Sequence, residues 1–248
     1  ENYNEVINYT SKALPLIKNP PLNWYELLLA GYYETDDLSN AAVVLENIIL
    51  KYPTRKKYWI QLAGIYQRLE EDKKALAIYE LAYAKDYLKK KQIIQLCKNY
   101  LYFEMPYKAA IVLEKEMATG RIENTLETLN MLVDAWILAQ ENEKAQSVFN
   151  EIINSYNDEK SRLRLGQLYI ENENWNKAVD VLNVELETED LTLISKINLL
   201  LGIALFNSEN IAEARESFNQ ALSDKTTQEQ AKWWLDHIKK KNEVNKSS

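Results

Sequence analysis

Residues 59–80 read WIQLAGIYQRLEEDKKALAIYE. Trp59, Leu62, Ala63 and Tyr66 share one helix face; after a polar break, Ala75, Ile78, Tyr79 and Ala82 share another. Spacings of three and four are those of an amphipathic helix with one buried stripe. The stretch therefore predicts two short helices joined by a tight turn, with Ala placed where two backbones must approach closely.

The same pattern recurs along the chain. Small residues open a second helix at Ala41, Ala75, Ala109, Ala145, Ala178 and Ala214, at separations of 34, 34, 36, 33 and 36. Thirteen residues before each stands a leucine: Leu28, Leu62, Leu96, Leu132, Leu165 and Leu201. Nine before each is a large side chain: Tyr32, Tyr66, Tyr100, Trp136, Tyr169 and Leu205. Four after each is another: Leu45, Tyr79, Leu113, Phe149, Leu182 and Phe218. Four coupled positions over six copies define a structural repeat, which resembles the ~34-residue tetratricopeptide helix–turn–helix. Gly166 and Gly202 take the small position of the first helix in copies five and six, and Pro53 closes copy one. Glu116 stands where a small residue is usual and Arg121 where a proline would close copy three, so MATGRIENT (117–125) reads as a longer joint ended by Gly120. ETEDLTLIS (187–195) reads as a second longer link, and unbroken helices are expected inside the copies.

The expected fold is all-α, a right-handed solenoid of about six repeats over 23–226 with flanking helices. Residues 1–22 read as the end of a truncated preceding repeat, and the chain opens at Glu1 in mid-pattern, so a trimmed or processed fragment is expected and a missing leader is no argument against export. Residues 227–248 read as a capping helix, with Ala231, Trp234, Leu235 and Ile238 inward and a frayed NEVNKSS tail.

Composition agrees. The chain has 248 residues with only five Gly and five Pro, which suits long helices with short connectors. Its net charge of −7 and short basic runs oppose nucleic-acid binding, which needs basic patches that release counterions. No apolar run reaches the ~18–20 residues of a membrane span. The single cysteine, Cys97, forms no internal disulfide and reads as a buried structural thiol. One histidine, His237, leaves no material for a His-based triad or metal cluster and reads as a packing residue; the five scattered glycines build no phosphate loop. No catalytic residue, metal or cofactor is expected.

Functional surface is therefore sought in a groove. In the repeat it resembles, first helices line a concave face, and spacing places Tyr33, Arg68, Lys98, Tyr102, Asn130, Asp134, Leu163 and Gln167 on it. This mixture of aromatic, charged and amide groups suits a protein segment. Trp233 points off the inward face of the last helix, as an exposed anchor or as packing against the preceding helix. The carboxylate clamp of chaperone-binding versions is missing: Glu26, Ala30, Ile60 and Gly64 occupy its places, with Lys91 a partial match.

A narrower resemblance is carried by KKYWIQLAGIYQRLEEDKKALAIYELAY (56–83), MPYKAAIVLEKEMATGRIENT (105–125), SRLRLGQLYIENENWNKAV (161–179), LLLGIALFNSENIAEARESFNQAL (199–222) and KWWLDHI (232–238). These stretches resemble the tetratricopeptide proteins that accompany bacterial ExbB, ExbD and TonB clusters. Glu116 and Met117 depart from the Gly-Leu-like pair expected there. The resemblance implies a periplasmic, non-catalytic protein that binds TonB, ExbB or ExbD components and supports uptake of iron–siderophore substrates. The residues by themselves also accommodate a cytoplasmic adaptor for a peptide, or the recognition arm of a larger enzyme. Oligomeric state is left open.

Overall fold

The computed structural model describes residues 2–247, and every regular element among them is helical. It divides into two compact units, Glu1–Glu123 and Asn124–Ser248, with the boundary inside the longer joint after copy three. The first unit holds α1 (Tyr3–Ala13), α2 (Leu22–Glu34), α3 (Leu38–Lys51), α4 (Lys56–Arg68), α5 (Asp72–Ala84), α6 (Lys90–Tyr102) and α7 (Pro106–Ala118). The second holds α8 (Leu126–Leu138), α9 (Asn142–Tyr156), α10 (Glu159–Glu171), α11 (Trp175–Leu182), α12 (Leu191–Asn207), α13 (Ile211–Gln220) and α14 (Gln228–Ser247). Within each unit successive helices pack as hairpins in an α-solenoid.

The repeat positions make the core. All six small residues, Ala41 to Ala214, are 0 % exposed, and the leucines thirteen before them are at most 6 % exposed. The bulky residues four after are equally covered. Tyr32 alone in this framework is half-buried. It borders a cavity of about 520 Å³ that is also lined by Leu14 and Pro15 of the 3-10 segment after α1, Leu14–Leu16. Gly166 and Gly202, the small residues of the first helices in copies five and six, are sterically required. A Cβ at Gly166 would lie 2.5 Å from Leu182, and one at Gly202 2.6 Å from Phe218.

Each hairpin turns through one residue at positive φ, always five before the small residue: Asp36, Glu70 and Glu104 in the first unit, Gln140, Glu173 and Glu209 in the second. The next residue's N–H donates to the carbonyl nine before the small residue, as in Asp37 to Tyr32 and Glu71 to Tyr66, both at 2.8 Å. This is the Schellman closure, which satisfies carbonyls left open at a helix end. A lysine directly before the small residue then lies over the large ring of its own copy: Lys74 over Tyr66, Lys108 over Tyr100, Lys144 over Trp136 and Lys177 over Tyr169.

Glu116 and Arg121, the two departures in copy three, are each other's partners. Glu116 is 1 % exposed; Arg121 Nε lies 3.0 Å from its Oε2, and the Tyr83 hydroxyl donates to Oε1 at 2.6 Å. Arg121 also reaches Asp86 Oδ1 at 2.6 Å and the Leu88 carbonyl at 3.1 Å. Burial, reinforced by Glu116, raises the Tyr83 hydroxyl. Cys97 is 0 % exposed and its thiol is pushed up to about 12, first by burial and then by the Glu116 charge. A buried carboxylate is tolerated here because it is paired and hydrogen-bonded.

Two expectations need correction. α11 stops at Leu182 after eight residues, so the second helix of copy five is cut short. Residues 183–190 are non-helical, and five of them are Asn, Glu or Asp. Asp190 then caps α12 early, accepting from Thr192 N at 3.0 Å and Leu193 N at 3.1 Å. A lengthened α12 compensates and packs on both α10 and α11. At the other end, α14 extends past Lys241 to Ser247, and Ser248 of the tail lies outside the described residues.

Candidate functional site

The first-helix faces of the two units carry the candidate residues. In the first unit, Tyr33 near the end of α2 is half-buried, and burial raises its hydroxyl while the Arg68 charge works the other way. Arg68 is exposed and ion-paired to Asp36 at 2.9 Å. Tyr33 and Arg68 thus lie in one neighbourhood, tied across two hairpins. Lys98 and Tyr102 are four apart on α6, hence on one face. Tyr102 is 72 % exposed, with its ring edge-on to Phe103 at 5.1 Å. Glu26, at a place the chaperone clamp would need, accepts from the Tyr58 hydroxyl and from Lys57 Nζ at 2.9 Å. Those bonds, Tyr58 first, hold its carboxyl below the ordinary range.

In the second unit Asn130 and Asp134 lie one turn apart on α8, and Arg164 of α10 binds both, reaching Asn130 Oδ1 at 3.4 Å and forming an ion pair with Asp134. Arg164 also covers the Phe149 ring at 5.1 Å. Leu163 is half-buried, and exposed Gln167 donates to Glu171 at 3.0 Å. The structure therefore joins Asn130 to Asp134 through a residue that spacing did not single out. Arg164 lies between Leu163 and Gln167 on the same face, and its distances of 34 and 30 residues from its partners match the repeat. The signal was present, but only as a contact between neighbouring copies.

At the end of the second unit, Trp233 is 59 % exposed and stacks on His237 at 5.3 Å, while Trp234 stacks on Phe218 at 5.5 Å. Trp233 is thus an exposed ring of α14, and His237 its support. Among the described residues no group of three His, Cys, Asp or Glu could hold a metal ion, and no helix is long and apolar enough to cross a membrane. Arg68, Asn130, Asp134 and Gln167 are each held by a neighbouring polar side chain, an arrangement suited to exchanging those bonds for a partner's.

No family model and no curated protein matches the chain. Solved structures do. A crystal structure of MamA aligns at 17 % identity over 67 % of this chain and 90 % of its own, with a TM-score of 0.53. The C-terminal part of a tetratricopeptide-repeat protein from Cytophaga hutchinsonii aligns at 17 % identity over 93 % of both chains, with a TM-score of 0.51. A structure of Naa15/Naa10 bound to HypK-THB aligns at 12 % identity over 96 % of this chain and 37 % of that one, with a TM-score of 0.72. At these identities the likeness is one of fold: the chain has the helix-hairpin solenoid fold of tetratricopeptide-repeat proteins.

Proposed function

We propose that the chain is a non-catalytic scaffold that holds other proteins on its first-helix faces, and that it acts as a periplasmic accessory of a TonB-dependent system. The observation that carries the scaffold reading is the character of those faces. They present exposed Arg68, Lys98, Tyr102 and Gln167 on rigid helices, while the repeat residues beneath are sealed. A rigid backbone confines the ordering cost of binding to the side chains themselves. A solenoid of similar fold, Naa15, is seen together with Naa10 and HypK-THB, which favours the same use here. The narrower assignment, to TonB, ExbB or ExbD components and iron–siderophore uptake, is supported by the resemblance of the five stretches between residues 56 and 238.

The test is titration of the chain with the periplasmic domains of TonB and ExbD, beside fractionation of cells that make the full-length protein. Saturable binding, weakened by Lys98→Glu with Tyr102→Ala, is the expected result. Silence toward these partners at micromolar concentration, or recovery of the protein in the cytoplasm, removes the TonB assignment and leaves the cytoplasmic adaptor.

A further inference from the structure

Within the second unit, the shortened α11 leaves a cleft of about 390 Å³ against α12 and α13. The repeat shows what is missing there. Seven residues after the small residue stand Ile48, Ala82, Glu116, Ile152 and Ala221, each at most 1 % exposed. In copy five that place falls to Glu185, which lies beyond the end of α11, is exposed and lines the cleft. The floor is apolar and sealed, with Leu182 and Leu201 buried. Glu213 and Glu216, three apart on one face of α13, stand on the wall. The buried polar groups of the lining have already used their hydrogens. Asn198, 8 % exposed, donates Nδ2 to the Ile194 carbonyl at 3.0 Å, and Ser217, 6 % exposed, donates its hydroxyl to the Glu213 carbonyl at 3.1 Å. The Asn198 Oδ1 is left as an acceptor without a partner among the described residues. No Lys or Arg lines the cleft, and no ion pair among the described residues holds Glu185, Glu213 or Glu216.

Copy three shows how this fold completes such a place. Glu116, at the register of Glu185, is held by the Arg121 guanidinium at 3.0 Å. Copy five offers its carboxylates no such group. We propose that the cleft takes the side chain of an arginine from an exposed segment of a partner protein, its alkyl stem over Leu182 and Leu201 and its guanidinium among Glu185, Glu213, Glu216 and the Asn198 Oδ1. Several acceptors around an apolar floor match a planar fork of five donors on an apolar stem better than they match the compact, strongly hydrated ammonium of lysine. Three carboxylates without a cation also repel an acidic segment. The proposal rests on the scaffold reading and adds a second location and a partner chemistry to it. It does not depend on which transport system is served.

The probe is the peptide acetyl-Ala-Leu-Arg-Leu-Ala-amide, titrated into the isotope-labelled full chain and followed by amide chemical shifts. Saturable shifts centred on 183–186, Asn198 and 213–220 are expected, at roughly millimolar affinity or better. Citrulline in place of the peptide's arginine keeps the shape and removes the charge, and should weaken binding about tenfold, as should Glu213→Gln with Glu216→Gln. Both glutamates are exposed, so the variant should keep wild-type helicity, checked by circular dichroism. The citrulline peptide leaves the protein untouched and decides the matter whatever the variant does to folding. Shifts that fail to saturate by about 10 mM overturn the proposal, as do shifts centred elsewhere or a citrulline peptide that binds equally well. Tighter binding of free arginine amide or spermidine than of the peptide overturns it too, and makes a small cation the occupant. The peptide contains no TonB or ExbD sequence, and Lys98 and Tyr102 belong to the first unit. Failure here therefore leaves the TonB titration and its Lys98→Glu, Tyr102→Ala control intact, and the reverse holds as well.

Discussion

Arg121→Ala should destabilise the first unit far more than its surface position suggests. The substitution removes the group 3.0 Å from Glu116 Oε2 and leaves a carboxylate 1 % exposed with the Tyr83 hydroxyl as its near donor and Lys115, 4.0 Å from Oε1, as its remaining cation. Orphaning a fully buried charge costs about 3–5 kcal/mol. Arg121 is 37 % exposed, so water can follow into the space it vacates, and about 2 kcal/mol is the expected loss. Glu116→Ala restores the small residue that the repeat prefers, but strands the Tyr83 hydroxyl, a loss of about 1–3 kcal/mol. The double variant has no buried charge to orphan, so it should fall short of the sum by about 1.5–2 kcal/mol. Repeat arrays need not unfold in one step, so hydrogen exchange at the amides of α5–α7 is the assay, with urea melts as a check. If the two losses add to within about 0.3 kcal/mol, Glu116 and Arg121 do not act as a pair and the reasoning fails.

Alanine should have opposite effects at two helix glycines. At Gly64 a Cβ meets nothing within 4 Å, so Gly64→Ala should stabilise by about 0.5–1 kcal/mol; at Gly202 the Cβ would press on Phe218, so Gly202→Ala should cost about 1–3 kcal/mol, both read by urea melts. Lys144 lies 4.1 Å from the centroid of the Trp136 ring, and Lys144→Ala should cost about 0.5–1 kcal/mol while Lys144→Arg largely retains it, as thermal melts of the pair would show. Cys97 should resist alkylation at pH 8 in the folded chain and react rapidly in urea, because burial keeps its thiol protonated until about 12; mass spectrometry of the labelled chain decides this, and fast labelling without denaturant would contradict the burial.

The framework was legible because packing imposes it anew in each copy. Ala75 must be small and Tyr79 large for the same steric reason as Ala145 and Phe149, so the pattern survives in spacing alone. The turns were legible as breaks but not as left-handed residues. Asp36, Glu70 and Gln140 adopt positive φ without the glycine that would announce it, because the Schellman bonds around them offset the cost of that conformation. The early end of α11 was hidden for another reason: α12 begins early enough to keep the period at 36, so spacing preserved the register while the helix itself was lost.

What the sequence concealed most is whatever couples one position to another off the period. Glu116 and Arg121 looked like two independent faults, since a pair five apart across a helix end belongs to no helical face. They are one compensated change, with Tyr83 of the preceding hairpin as the third member. The same holds for the candidate faces. Spacing put Asn130, Asp134 and Gln167 on them, but it could not show that Arg164 already engages two of the three. A partner that binds the second unit's face must therefore displace Arg164 or join it, whereas at Lys98 and Tyr102 of the first unit it meets exposed side chains of α6. Substitutions at Lys98 and Tyr102 should then act on binding with little change in stability, while Asp134→Ala should alter both, because it takes from Arg164 its partner on α8.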